Sequence, residues 1–149
     1  MPELPEVETV RIGLETHLVG RVVASTEVLH PRAVRRHAGG EPDLIGRLAG
    51  KRVTGVRRRG KYLWIDVADS ADRAALVVHL GMSGQMLVAE PGSPDQRHLH
   101  ARFTFESGGP ELRFVDQRTF GGLALSPLGA DGVPESVAHI ARDPFDPAF

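Results

Sequence analysis

The sequence predicts a mainly β (α+β) domain: an antiparallel β-sandwich or barrel-like body with an N-terminal helix and one or two further short helices. Three observations carry this. One stretch near the N-terminus repeats its apolar residues at the helical period. Most of the remaining chain is short runs of Val, Leu, Phe and Thr set apart by Gly, Pro, Ser or Asp. The 149 residues suffice for one domain with its own core.

The helix comes first. Val7, Val10, Leu14 and Leu18 recur near the helical spacing, with Glu8, Arg11 and Glu15 between them. Pro5 suits the first helical position, Glu6 and Glu8 favour the positive end of the helix dipole, and Gly20 ends the pattern. "RVVASTEVL" (21–29) then reads as a strand, and "EPDLIGRLAG" (41–50) as a short helix with Asp43 as cap and Gly50 as stop. Seven further strands are expected in "RVTGVRRR", "KYLWIDVA", "AALVVHL", "GQMLVAE", "HARFTFES", "ELRFVD" and "GLALS". "FESGGPELRF" has the form of a hairpin, "PGSPDQR" of a mobile loop, and "DGVPES" caps one more short helix. The domain is placed at 1–140, and the Pro- and Asp-rich residues 141–149 read as the start of a linker. Regular short strands with turns between them specify antiparallel packing.

Composition narrows the function. There is no cysteine, hence no disulfide and no thiolate metal site. No apolar run has transmembrane length and no signal-peptide layout opens the chain, so a cytoplasmic protein without a membrane partner is expected. The net charge of −1 hides an asymmetry. Residues 1–61 hold 12 Lys/Arg against 7 Asp/Glu, concentrated in "PRAVRRH" and "KRVTGVRRRGK", whereas residues 62–149 hold 6 against 12. The basic third reads either as a solvated surface or as a stripe facing phosphate.

The first residues, "MPELPEVE", are crowded with Pro and Glu for a chain end. Removal of Met1 leaves Pro2 with a free secondary amine. An α-amine has a pKa of about 7.7–8.0, so much more of it is neutral at working pH than of a lysine. Such an amine attacks carbon and collapses to an iminium, which is covalent catalysis without an activated side chain. With Met1 retained, Pro2 is a tertiary amide with no lone pair to give. Glu3 and Glu6 stand near it in sequence as acids or bases. Taken alone, "PELPE" is equally a stiffened approach to a helix. Further along, Lys61 follows three arginines and a glycine at a strand start, and "HLGMSGQ" sets Met82 on a turn between Gly81 and Gly84. "RHLH" places His98 and His100 two apart, on one face if both are in a strand, with no third ligand nearby for a metal. "DQRTFGG" places Arg118 and Phe120 on a turn.

"MPELPEVE", "GKYL", "HLGMSG" and the D-x-R-x-F-G form of "DQRTFG", in this order, resemble the N-terminal domain of the bacterial formamidopyrimidine-DNA glycosylase / endonuclease VIII family. The resemblance spans all 149 residues. It implies a base-excision repair DNA glycosylase/AP lyase that removes oxidised purines (8-oxoguanine, formamidopyrimidines) from double-stranded DNA through a proline Schiff base and β,δ-elimination. Pro2 is the implied nucleophile at the sugar C1′, Glu3 the acid/base at the sugar ring, and Glu6 a residue that organises the site. Lys61 is implied to contact phosphate near the lesion and to assist elimination. Met82 would fill the space of the flipped base, Arg118 would bond the orphaned cytosine, Phe120 would wedge the stack, and His98 would bind the DNA backbone. Glycosylases must extrude their target base, and inserted side chains offset the unstacking.

The chain departs from the family pattern at Leu99, where an acid is common, and at Thr119, where a second arginine is common. Both bear on local DNA contacts. The family continues with a helical domain holding a helix–two-turn–helix element and usually a four-cysteine zinc finger. The chain is therefore read as the N-terminal domain, with no metal site of its own and zinc expected in the finger beyond it. A monomer, bacterial and nucleoid-associated, is expected. "PELPEV" with "HLGMSG" favours the purine branch over the oxidised-pyrimidine branch of endonuclease VIII. A catalytically inactive DNA-binding module on the same scaffold is the remaining alternative, against which the presence of Pro2, Glu3 and Lys61 argues.

Overall fold

The computed structural model describes residues 4–60, 62–119, 121–129 and 131–137. Helix α1 (Leu4–Leu18) buries Val7, Leu14 and Leu18 and leaves its charged side outward. Each such burial contributes roughly 1.5–3 kcal/mol, which outweighs the about 1 kcal/mol that Gly13 costs inside the helix. Pro5 falls in the first turn, and Gly20, at φ 90°, lies just beyond the end. Then follow β1 (Val23–Val28), a 3₁₀ turn at Pro31–Val34, α2 (Gly40–Leu48), β2 (Arg52–Arg59) and β3 (Tyr62–Ala68). The order continues with β4 (Arg73–His79), β5 (Gly84–Ala89), β6 (Leu99–Phe105), β7 (Glu111–Asp116) and β8 (Gly122–Ser126).

The strands form two four-stranded antiparallel sheets, β1-β6-β7-β5 and β2-β3-β4-β8, which is the sandwich expected from the sequence. One core cluster lies between them, with Phe103, Phe114, Leu63, Ile65 and Leu123 almost fully buried. α1 lies against β2 and β5, and α2 against β1. β4 is buried on both faces because Val133 and Val137 cover Ala75 and Val77 on its outer side, together with Trp64 of the neighbouring β3. That is why "AALVVH" reads as a continuous apolar run instead of an alternation.

The structure corrects several details. The N-cap of α2 is Gly39, not Asp43; Asp43 lies in the first turn and its Oδ2 is 2.7 Å from His37 Nε2. His37 Nδ1 accepts from the Leu125 amide at 3.1 Å, so the buried imidazole ties α2 to β8. His98 and His100 do not share a strand face: His98 is half-buried in the turn before β6, and His100 is buried with its ring 4.6 Å from His30. The loop at 91–97 is tethered. Buried Arg113 donates to the carbonyls of Ser93 and Pro94 and to Gln96 Oε1, at 2.9–3.0 Å, while Glu111 balances its charge at 2.8 Å. "DGVPES" leads into a helical turn at 135–137. The linker expected at 141–149 lies outside the described residues, as do Pro2, Glu3, Lys61 and Phe120.

Candidate nucleic-acid interface

Topology brings two connections together. The chain leaves β4 in one sheet and enters β5 in the other through residues 80–83. It returns from β7 to β8 through 117–121. β4 pairs with β8 and β5 with β7, with His79 opposite Gly122 and Gly84 opposite Asp116. The two crossings therefore run side by side at one end of the sandwich. The first carries Met82, which is 63% exposed, unusual for a large apolar side chain. The second carries exposed Arg118.

Asp116, fully buried, holds this end together. Its Oδ1 accepts from the Ser83 hydroxyl at 2.6 Å and from the Arg118 amide at 3.2 Å, and its Oδ2 accepts from the Gly121 amide at 2.7 Å. Its own amide donates to the His98 carbonyl at 3.0 Å. Burial disfavours the carboxylate, but the Ser83 hydroxyl and the amides of Gly121 and Arg118 outweigh it and hold Asp116 below the usual carboxylate range. Glycine is required on both flanks. A Cβ on Gly84 would lie 2.3 Å from the Leu80 carbonyl oxygen, and one on Gly121 would lie 2.4 Å from that of His79.

A cleft of about 300 Å³ opens between α1 and the Met82 turn, lined by Glu6, Val10, Leu80, Met82 and Ser83. This is at the lower end of ligand-pocket volumes, about 300–1,000 Å³. α1 is fixed beside it by charge. Arg11 grips Glu8 with two bonds at 2.8 and 2.9 Å and donates to the Val56 carbonyl of β2 at 3.2 Å. Arg58 Nε reaches Glu8 Oε1 at 2.6 Å, and its guanidinium bonds the Gly60 carbonyl at 3.3 Å. The bonds from Arg11 and Arg58 push the Glu8 carboxyl down from its ordinary 4.5 to about 2. Gly60 takes φ 58°, as the tight β2–β3 turn requires.

The basic residues divide. Arg32, Arg35 and Arg36 are exposed beside the Arg118 crossing, where Arg35 donates to the Gly121 carbonyl at 2.9 Å. Burial and the like charges of Arg36 and Arg32 lower the pKa of Arg35, a mark of locally positive potential. In the second stretch Lys51 is buried with Nζ 3.3 Å from Asp69, Arg57 binds Asp66 at 2.8 Å, and Arg58 binds Glu8. Three cations of that stretch are thus paired with carboxylates, while Arg52, Arg57 and Arg59 are exposed.

Of the eight candidate residues, the four described ones converge. Glu6 and Met82 line one cleft, Arg118 joins the Met82 turn through Ser83, whose Oγ accepts the Arg118 amide at 3.1 Å, and His98 joins through the backbone of Asp116. Sequence reasoning passed over Asp116 and Ser83. The available signal was the D-x-R spacing, in which an Asp side chain caps the amide two residues on. Among the described residues no three or more His, Cys, Asp or Glu side chains group to hold a metal ion. No helix among them is long and apolar enough to cross a membrane.

Comparison with known proteins leads to the same family as the motifs. The chain is similar to the formamidopyrimidine-DNA glycosylase of Acidothermus cellulolyticus, 62% identical over 149 residues, covering 100% of this chain and 51% of the relative. It spans about half the length of the curated relatives it matches. Among solved structures it is similar to Lactococcus lactis Fpg (MutM) in complex with DNA containing an oxidised pyrimidine: 39% identity, 83% of this chain, 44% of that one, TM-score 0.74. It is equally similar to MutM in complex with DNA containing carbocyclic 8-oxo-G, with 39% identity, 83% and 44% coverage and TM-score 0.74. The sequence profile of the formamidopyrimidine-DNA glycosylase N-terminal domain matches residues 1–123, and the chain belongs to that family.

Proposed function

We propose that this chain is the catalytic N-terminal domain of a base-excision DNA glycosylase/AP lyase that removes oxidised purines from duplex DNA. The observation that carries the reading is the meeting of Met82, Arg118 and the Glu6 cleft at one end of the sandwich, beside the arginines of 31–37. An exposed apolar side chain and an arginine on adjacent turns suit insertion into a base stack. Arginine's donor fork matches the acceptor edge of an unpaired cytosine. Exposed arginines neutralise phosphates without reading sequence.

In the chemistry proposed, the lone pair of the Pro2 amine attacks the sugar C1′, the bond from C1′ to the base breaks with its electrons leaving on the base, and the proton released from the amine nitrogen neutralises the departing base. The C1′–O4′ bond then opens, Glu3 supplies the proton to O4′, and the iminium forms. Loss of a C2′ proton expels the 3′ phosphate, a second elimination expels the 5′ phosphate, and water releases Pro2. Lys61 contacts phosphate during elimination, and His98 the DNA backbone. Phe120 wedges the stack.

The test is excision on a duplex with 8-oxoguanine opposite cytosine, using the protein as its gene encodes it. Glu3→Gln should lose about 10²–10⁴ in rate and keep lesion binding within a few-fold. Near-normal turnover would make Glu3 a helix-entry residue only. A second reading, action on oxidised pyrimidines, is favoured by the lesion in the Lactococcus lactis complex. A parallel duplex carrying an oxidised pyrimidine measures it directly.

A further inference from the structure

We propose that Ser83 and Asp116 lock the Met82 turn and the Arg118 crossing into one unit, so that these side chains enter the duplex together; the inference rests on the proposed DNA-binding role. Asp116 alone would suffice to cap its own connection, through Arg118 N–H and Gly121 N–H. Ser83 belongs to the other connection. Its hydroxyl donates to Asp116 Oδ1 at 2.6 Å and accepts from the Arg118 amide at 3.1 Å. One side chain thus bonds both the anchor and the backbone of the arginine-bearing segment, from the residue next to Met82. A cap for 117–121 does not need that bond; a coupling between the two turns does.

Packing supports the same conclusion. A Cβ on Gly121 would lie 2.4 Å from the His79 carbonyl oxygen and 3.1 Å from that of Leu80, so the backbones of the two crossings touch there and neither shifts alone. Between the two amides that Asp116 holds, Thr119 takes φ 58°, a left-handed conformation that a β-branched residue avoids unless its surroundings impose it. The Arg118 segment is held in shape before any DNA arrives. An arginine presented on a pre-ordered backbone loses less freedom on binding than one on a loose loop. Ser83 and Asp116 are positioning residues here, acting through the backbones of Met82 and Arg118.

The test has two arms, each run on the parent protein, Ser83→Ala, Ser83→Thr and Asp116→Asn. The first is amide hydrogen exchange without DNA. Ser83→Ala should speed exchange at Arg118, on the other connection, by about threefold to tenfold, the weight of one net hydrogen bond, and Ser83→Thr, which keeps the hydroxyl, should restore it. The second is binding to duplexes with a tetrahydrofuran abasic-site analogue opposite each of the four bases. Ser83→Ala should shrink the spread among opposing bases by about fivefold or more, with a smaller change in mean affinity, and Ser83→Thr should recover the spread. Unchanged exchange at Arg118 in folded Ser83→Ala, or an equal loss on all four duplexes, overturns the coupling. A parent protein that ignores the lesion removes the DNA-binding reading instead, and the exchange arm then decides the coupling alone. Ser83 is only half-buried, so its variants keep the test open if Asp116→Asn does not fold.

Discussion

"PRAVRRH" at 31–37 and "KRVTGVRRRGK" at 51–61 carry three and six Lys/Arg, and from sequence the longer one is the stronger candidate for binding phosphate. The fold gives the two stretches different neighbours. Arg32 lies in a 3₁₀ turn packed on the start of β8, Arg35 and Arg36 follow it, and all three are exposed beside the Arg118 crossing. In the second stretch Lys51 is buried against Asp69, Arg57 bonds Asp66, and Arg58 joins β2 to α1 through Glu8. A cation along a strand meets the carboxylates its neighbours place there, whereas Arg35, at the sandwich end, meets the carbonyls of Arg32 and Gly121. Location in the topology, and not charge density alone, decides which groups a cation meets.

The largest expected effect tests the first stretch. Arg32→Ala combined with Arg36→Ala should flatten the slope of log affinity against log salt by about 1.8, roughly 0.9 for each phosphate no longer neutralised. Anisotropy titrations at several salt concentrations measure it. An unchanged slope would show that these arginines do not face the backbone.

Arg118 sharpens the contrast, because it is assigned to a base and not to phosphate. Arg118→Ala should reduce discrimination for the base opposite the lesion by about 1–3 kcal/mol and leave the salt slope nearly intact. Equal weakening on every opposing base would move Arg118 into the phosphate class.

The second stretch should behave in the opposite sense. Arg58→Ala should lower the melting temperature by about 2–4 °C, as befits a partly exposed ion pair with a further bond to a carbonyl, and leave the salt slope unchanged. A flattened slope with normal melting would reverse the assignment.

The smallest effect is its pH dependence. Ionised Glu8 is favoured in the folded state, with its pKa brought from 4.5 to about 2 by Arg11 and Arg58. Its contribution is therefore full above pH 4.5 and is lost as pH falls through about 2. The difference in melting temperature between the parent and Glu8→Gln should close over that window. A difference that persists at still lower pH would mean that Glu8 acts by packing alone.

The sequence allowed α1, the eight strands and the sandwich class to be read, because period and turn residues are local signals. "ELRFVD" and "GLALS" coincide with β7 and β8. What it concealed was non-local. Nothing local shows that β4 pairs with β8 while β5 pairs with β7, yet that pairing makes neighbours of Met82 and Arg118. The His37–Asp43 bond and the tether from Arg113 to Ser93 and Pro94 are likewise hydrogen bonds between separate elements, and they displaced the expected Asp43 cap and the expected free loop. Glu6 was legible because it stands in a motif; Ser83 and Asp116 stand in motifs too, but their roles emerge only when the two crossings are seen together.

The central claim is that Pro2 attacks the sugar, and borohydride trapping on an 8-oxoguanine duplex tests it most directly. The protein as its gene encodes it, with Met1 removed, is incubated with lesion DNA and borohydride, and the covalent adduct is digested and mapped by mass spectrometry. The account predicts an adduct on the N-terminal peptide at Pro2, and none when Met1 is retained. An adduct on Lys61, or equal trapping with Met1 in place, would contradict it.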